Sequence, residues 1–524
     1  MSVALEEAIV KALKPQKDEV KALDSDIYDL KCLFSLTTSE FSGGTLGTNP
    51  STAPKEVNEL IKKIKENSLF KRGKKETYES RNKELSLGDQ LIIDNARCIT
   101  TSIHGFMEHM FNHPELLPGY EHNLFETSSP KKKKERFSKE ELTKLRKETF
   151  NIPNLLTALY GIHTNHFEGM RNEILEKFEV DISERFKIGI YSQLENNVRP
   201  IDGNHRNPNA NYDRAFQRKF NEVFYQLTAL QHNPTNESAR ERARKELKPI
   251  RHVLADYLNS TGDYKVLTAK SLPFKLELGG PDEDVSTWTD DLRLMTLEAD
   301  ALFIHGKEKS VCKALWLPTV LHEATHARAT DKSNRLSKSL QAGTSSFMEF
   351  GPATIEEGRA MYMEEETTSW LEKNASKYSV SEKDMDLIKM YPRAYLQSRA
   401  IGILRALALK QEMTVGGRTR YEGEQFAAAY LANVAEFPPI YLDPAYWSDE
   451  GFLDAAIYRI NYPVGTRYVK NTMGLVEKVL GKEHYEANKN FLHQAMLTGQ
   501  WSPGAHEQYM LRLVVPLIKE HSKK

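Results

Sequence analysis

The sequence predicts a mainly α-helical protein carrying one small β-sheet, an α+β chain. Three observations predict it. Most of the segments between loops repeat their apolar residues at helical spacing, as "ESARERARKELKPIRHVLADYLN" does from Glu237. Short β-rich runs punctuated by glycine are confined to residues 263–306. Stretches dense in Gly, Pro, Asn, Ser and Thr separate the rest at residues 35–55, 112–134 and 195–213.

In chain order, the first of these loops ends an N-terminal helical segment and linker over residues 1–56. A mainly helical region with long loops follows over 57–262, and a third region runs from 263 to 524. Within the third, "DYKVLTA", "LPFKLELGG" and "LRLMTLEADALFIHG" read as strands, the last running from Leu297 to Ile304. The helical pattern "SVCKALWLPTVLHEATHARA" comes next, and Pro318 either opens a helix at its first turn or kinks a longer one. Gly351-Pro352 then starts another helix, "ATIEEGRAMYMEEE".

Composition narrows the class. At 40% hydrophobic and 28% charged residues the chain is an ordinary globular one. Its 72 basic and 73 acidic residues nearly cancel, which removes the bulk attraction that nucleic-acid binders show. The dense basic run "KKKKER", Lys131 to Arg136, reads as a solvated loop flank, with docking of an acidic partner as the alternative. Three cysteines without a CxxC pair suggest neither a disulfide framework nor a cysteine-bound metal, and fit a reducing compartment. Glu6 and Glu7 interrupt the apolar N-terminus and no uncharged run is long enough for a membrane span. The expectation is a cytoplasmic protein, or one exported without a cleaved Sec signal.

The chemistry concentrates in "LHEATHARA". On a helix His322 and His326 share a face, so both imidazoles can reach one ion, and Glu323 beside them can reach a water molecule there. Two histidines do not complete a catalytic zinc site, which takes three protein ligands and keeps one position open. A carboxylate from the "IEEGRA" helix, Glu356 or Glu357, is the candidate third ligand, and Gly358 and Ala360 after it would let two helices approach closely. The other reading of these glutamates is a solvated acidic face.

A strand, an HExxH helix and a glutamate on a second helix resemble the gluzincin group of zinc metallopeptidases. More narrowly, "LHEATHARATDKSN" with "LQAGTSSFMEFGPATIEEGRAMYMEE" resembles the corresponding segment of the tubulin tyrosine carboxypeptidase family and its bacterial relatives. The resemblance covers residues 296–370. The chain departs from it in having two residues between Glu323 and His326 and "EGRA" for "EGLA". It implies a zincin-like core with a sheet edge beside the HExxH helix, Zn2+ held by His322, His326 and Glu357, and Glu323 as general base. "YRINYPVGTRYVKN" resembles the late helix of helical gluzincin carboxypeptidases, which implies Tyr468, or else Tyr462, as the donor to the oxyanion. Glu364, two turns beyond Glu357, is a candidate partner for a ligating imidazole. No role is assigned to Arg328, Arg359, Arg393, Arg459 or Arg467, although a carboxypeptidase needs a cation for the substrate's terminal carboxylate. The implied activity is a zinc metallopeptidase acting on a peptide or protein substrate, as a carboxypeptidase ahead of an endopeptidase. The alternative from another class is a protein-binding module that keeps the fold without catalysis.

Overall fold

The computed structural model describes residues 2–41, 53–72, 85–112, 237–264, 266–278, 287–289, 293–297, 303–304, 307–311, 313–341, 352–392, 395–396 and 461–521. Among these the chain is mainly helical with a little sheet, as its sequence predicts.

Helices α1 (Ser2–Ala12), α2 (Asp18–Phe41), α3 (Ala53–Glu66), α4 (Ser68–Arg72) and α5 (Leu87–Asn112) form the N-terminal part of the described structure. In α2, Leu23, Ile27, Leu30 and Phe34 recur at helical spacing and are fully buried against α3 and α5. The loop expected over 35–55 is corrected at both ends, because α2 continues through "SLTTSEF" to Phe41 and α3 already begins at Ala53. Extending an established helix by a turn is cheap compared with nucleating one, so a Ser/Thr-rich tail follows its helix. The loop expected from 112 opens on the last residue of α5. The rest of that loop, the loop at 195–213 and the Lys131–Arg136 run lie outside the described residues.

After α6 (Glu237–Thr261) come five short strands: β1 (Lys275–Leu278), β2 (Thr287–Thr289), β3 (Leu294–Leu297), β4 (Phe303–Ile304) and β5 (Lys307–Val311). Among the described residues they form two small sheets instead of one. The first has the order β1-β3-β2, with β1 parallel and β2 antiparallel to β3, and the second is the antiparallel pair β4-β5. Three expectations change here. "DYKVLTA" is not a strand, because Asn259 takes the backbone of Leu267, accepting from its N–H at 2.7 Å and donating to its carbonyl at 2.9 Å. A ladder partner for that residue is replaced by a side chain. The two ends of the strand expected from Leu297 to Ile304 fall in different sheets, Leu297 in β3 and Phe303–Ile304 in β4, and residues 298–302 lie outside the described residues. Ser310 and Val311, read as the start of a helix, belong to β5, where Val311 pairs with Phe303.

The HExxH helix α7 (Lys313–Ser333) runs through Pro318 without a break, so that proline does not open a helix. Its Trp316, Leu317, Val320, Leu321, Ala324 and Ala327 are buried, and it is packed between α6, strand β2 and helix α8 (Pro352–Asn374). A further helix spans residues 382–392. The C-terminal part comprises α9 (Asn461–Leu480), α10 (Lys482–Ala487), α11 (Lys489–Met496), α12 (Pro503–Tyr509), a π-helical turn over Met510–Val514 and α13 (Val515–His521). One hydrophobic cluster joins α1 to α13, from Leu5 to Ile518.

Helices α8 and α9 run side by side in the same direction. Thr354 Oγ1 donates to Asn461 Oδ1 at 2.8 Å, and further along Lys470 pairs with Glu365 at 2.8 Å. Between these contacts Gly358 faces Gly465. A Cβ on Gly358 would lie 2.3 Å from the Gly465 carbonyl carbon, and one on Gly465 would lie 1.9 Å from the Thr354 oxygen. The close approach foreseen at Gly358 is therefore made to α9. Because both obstacles are backbone, Gly358→Ala is expected to destabilise the fold by about 3 kcal/mol, the upper range for overpacking. A thermal midpoint unchanged from wild type would contradict this.

Candidate metal centre

Helix α7 positions two of the three groups that meet. Its His322 and His326, one turn apart, are both about nine-tenths buried, at 7% exposed each. Helix α8 crosses them and brings the third, Glu357, at 6% exposed. His322 Nε2 lies 3.3 Å from Glu357 Oε2, His326 Nε2 lies 3.5 Å from the same oxygen, and the two Nε2 atoms are 3.2 Å apart. Two ring nitrogens and a carboxylate oxygen, each able to present a lone pair, thus face one point. Such a convergence is unfavourable unless positive charge lies among them.

The same conclusion follows from the titration behaviour. Burial alone would depress the His322 imidazolium, but the Glu357 and Glu364 carboxylates outweigh it and raise that group to about 9. His326 is likewise raised well above its ordinary value, burial again being outweighed by Glu357 and Glu356. Burial pushes the Glu357 carboxyl up, while His326 and His322 hold it well below the usual carboxylate range. The cluster retains positive charge, which a divalent ion would supply as it displaces protons.

The donor set fits such an ion. Ligand atoms about 2.0–2.2 Å from a tetrahedral centre are separated by about 3.3–3.6 Å, close to the three separations here. Among the described residues His322, His326 and Glu357 are a group that could hold a metal ion. Glu356, the other candidate carboxylate, has its Oε1 3.6 Å from His326 Nδ1, behind the ring and away from the converging Nε2 atoms. One residue along a helix rotates the side chain by about 100°, which is why only one of the two adjacent glutamates reaches the point between the rings.

Glu323, next to His322, is 8% exposed. Burial raises its carboxyl to about 7, against the pull of His326 and His322. Glu364 Oε1 lies 3.0 Å from His322 Nδ1, the nitrogen facing away from the triad. Tyr462 stacks on the His322 ring with centroids 6.2 Å apart, while Tyr468, six residues on in α9, is buried in the core cluster.

Sequence reasoning missed a second aromatic contact. Tyr395 lies 6.5 Å from the His322 ring, makes an edge contact to Tyr462 at 5.2 Å and stacks on Tyr391 at 5.8 Å. Tyr391 Oη is in turn 3.1 Å from Thr319 Oγ1 on α7. The available signal was the four-residue spacing of Tyr391 and Tyr395, the spacing that puts two residues on one face of a helix.

Two of the arginines have other tasks. Arg328 Nε donates to Asp263 at 2.7 Å and its Nη1 to the Tyr257 hydroxyl at 3.1 Å, and Arg359 Nη1 donates to the Gly499 carbonyl at 2.7 Å. Arg467 is exposed, and Arg393 and Arg459 lie outside the described residues. Strand β3 is the centre of its sheet, with β1 and β2 occupying both edges, so it offers no edge to an extended chain. The edge strand touching α7 is β2. No helix among the described residues is long and apolar enough to cross a membrane.

No family model matches the chain, and no curated protein does. A solved structure titled "Structure of Pyrococcus furiosus Carboxypeptidase Apo-Mg" aligns over 97% of this chain and 99% of that one, at 11% identity and a TM-score of 0.33. A likeness that slight carries no argument about fold or chemistry.

Proposed function

We propose that the chain is a zinc-dependent metallopeptidase, with carboxypeptidase action favoured over endopeptidase action by the motif resemblance. The observation that carries the reading is the meeting of His322 Nε2, His326 Nε2 and Glu357 Oε2 at 3.2–3.5 Å, with Glu323 adjoining. Two imidazoles and one carboxylate are a donor set suited to catalytic zinc, with the fourth position left for water or substrate. Zinc bound there would bring water closer to ionisation at neutral pH and polarise the scissile carbonyl.

The chain's own residues supply the remaining steps. His322, His326 and Glu357 would hold the ion. Glu323 takes a proton from the attacking water and passes it to the leaving amine, acting first as base and then as acid. Tyr468, with Tyr462 as the alternative, donates a hydrogen bond to the developing oxyanion. An extended peptide substrate would align on a sheet edge through main-chain hydrogen bonds, and β2 rather than β3 is the strand suited to receive it.

Metal analysis of the purified protein and of Glu357→Ala tests the ligand set. Stoichiometric zinc in wild type and its loss in the variant are expected; equal zinc in both removes Glu357 from the set. A peptide library read by mass spectrometry separates loss of single C-terminal residues from internal cuts. Absence of either kind of product with the zinc-loaded protein would favour the non-catalytic binding module.

A further inference from the structure

Glu364 is 2% exposed, and burying a carboxylate is costly unless its oxygens are paired. Its Oε1 meets His322 Nδ1 at 3.0 Å, while its Oε2 has no hydrogen-bond partner among the described residues. The ammonium of Lys470 is engaged with the neighbouring Glu365. Among the described residues, the hydrogen bonding of this buried carboxylate is therefore directed at one atom, the far nitrogen of the imidazole whose near nitrogen faces Glu357 and His326.

A neutral imidazole carries a single ring proton, and an acceptor at Nδ1 keeps the proton there, leaving the lone pair on Nε2. Stacking on Tyr462 restricts rotation of the same ring. We infer that Glu364 is a positioning residue that fixes His322 in its Nδ1–H tautomer, so that Nε2 is the atom offered to a divalent metal ion. This rests on the metal-site reading above. Glu356 Oε1 stands farther from His326 Nδ1, at 3.6 Å, so the contact at Glu364 is the tighter of the two.

The test uses the full chain, with zinc affinity measured by competition against a chromophoric chelator and the visible spectrum of the cobalt-substituted protein as a second readout. Glu364→Leu removes the acceptor while keeping the volume, and Glu364→Gln keeps an amide oxygen that still accepts from Nδ1–H. Glu364→Leu is expected to weaken zinc binding by about 10–100-fold and to shift the cobalt bands. Glu364→Gln should lose less than about tenfold and keep the wild-type bands. A merely structural role predicts something different: both variants lose affinity equally, with a lowered melting temperature of the metal-free protein. That outcome overturns the inference, as does wild-type affinity in Glu364→Leu. A wild-type protein that binds no zinc overturns the metal-site reading and this inference together, whereas a zinc-binding wild type with an unaffected Glu364→Leu variant overturns this inference alone.

Discussion

On the proposed zinc-peptidase reading, Glu323→Gln is expected to keep zinc and lose turnover. The amide fills the same space beside His322 but cannot accept a proton from water at neutral pH, so kcat should fall by about three orders of magnitude, within the range for general-base removal. Zinc content should match wild type, since Glu323 is outside the ligand group. The metal-free variant should also melt no lower than wild type. The Glu323 carboxyl is raised to about 7 in the folded chain, whereas an unfolded glutamate titrates near about 4.3. Between those values the folded chain holds a proton that the unfolded chain has released, so this carboxyl costs stability progressively as pH rises through the window. Glutamine removes that cost. Activity lost with stability retained separates a reacting group from a supporting one; full turnover in the variant would eliminate Glu323 as the base.

What the sequence made legible here depended on distance along the chain. His322 and His326 lie on one helix, so their spacing alone fixed their common face. Residue pattern alone narrowed the candidate third ligand to Glu356 or Glu357, and only the resemblance chose Glu357, because choosing between adjacent residues requires the rotation of α8 relative to α7, which is set by tertiary packing. That packing includes the Gly358–Gly465 contact, and "YPVGTR" gives no sign that its glycine meets "EEGRA". The Tyr395 contact was hidden for a related reason, since a ring 73 residues from His322 in sequence shares no motif with it. Among the secondary-structure readings, long periodic helices such as α6 held. The short run "LPFKLELGG" held as β1, whereas "DYKVLTA" failed where the Asn259 side chain took its backbone, and the long helical pattern of α7 failed only at its start, where Val311 pairs with Phe303. A run of seven residues carries too little periodicity to outweigh one such tertiary contact.

Asp263→Asn is expected to cost the fold about 3 kcal/mol at neutral pH. Asp263 lies just beyond α6 and its side chain is 5% exposed, pairing with Arg328 Nε at 2.7 Å and Lys332 Nζ at 2.9 Å, both on α7. An asparagine cannot neutralise two buried cations, and removing one member of a buried ion pair leaves charge without compensation. The cost is placed at the lower end of the usual range because Glu366 also acts on Arg328 and Glu6 lies 3.6 Å from Lys332. The pH dependence distinguishes this from a packing defect. Burial pushes the Asp263 carboxyl up, but Arg328 and Lys332 outweigh it and hold the group below its ordinary value. Its contribution is therefore fully present above the unfolded value of about 3.9 and is lost as pH falls through the lower folded value. Urea unfolding at pH 7 and at successively lower pH should show the gap between wild type and variant closing only in the acid range. A gap that stays constant down to the acid limit would mean that Asp263 acts by shape and not by charge. Because Arg328 follows His326 by two residues, the same anchor holds α7 from behind while α8 approaches its front. On the proposed metal-site reading, loosening it is expected to weaken metal binding as well as the fold, even though none of the contacts of Asp263 is to a candidate ligand.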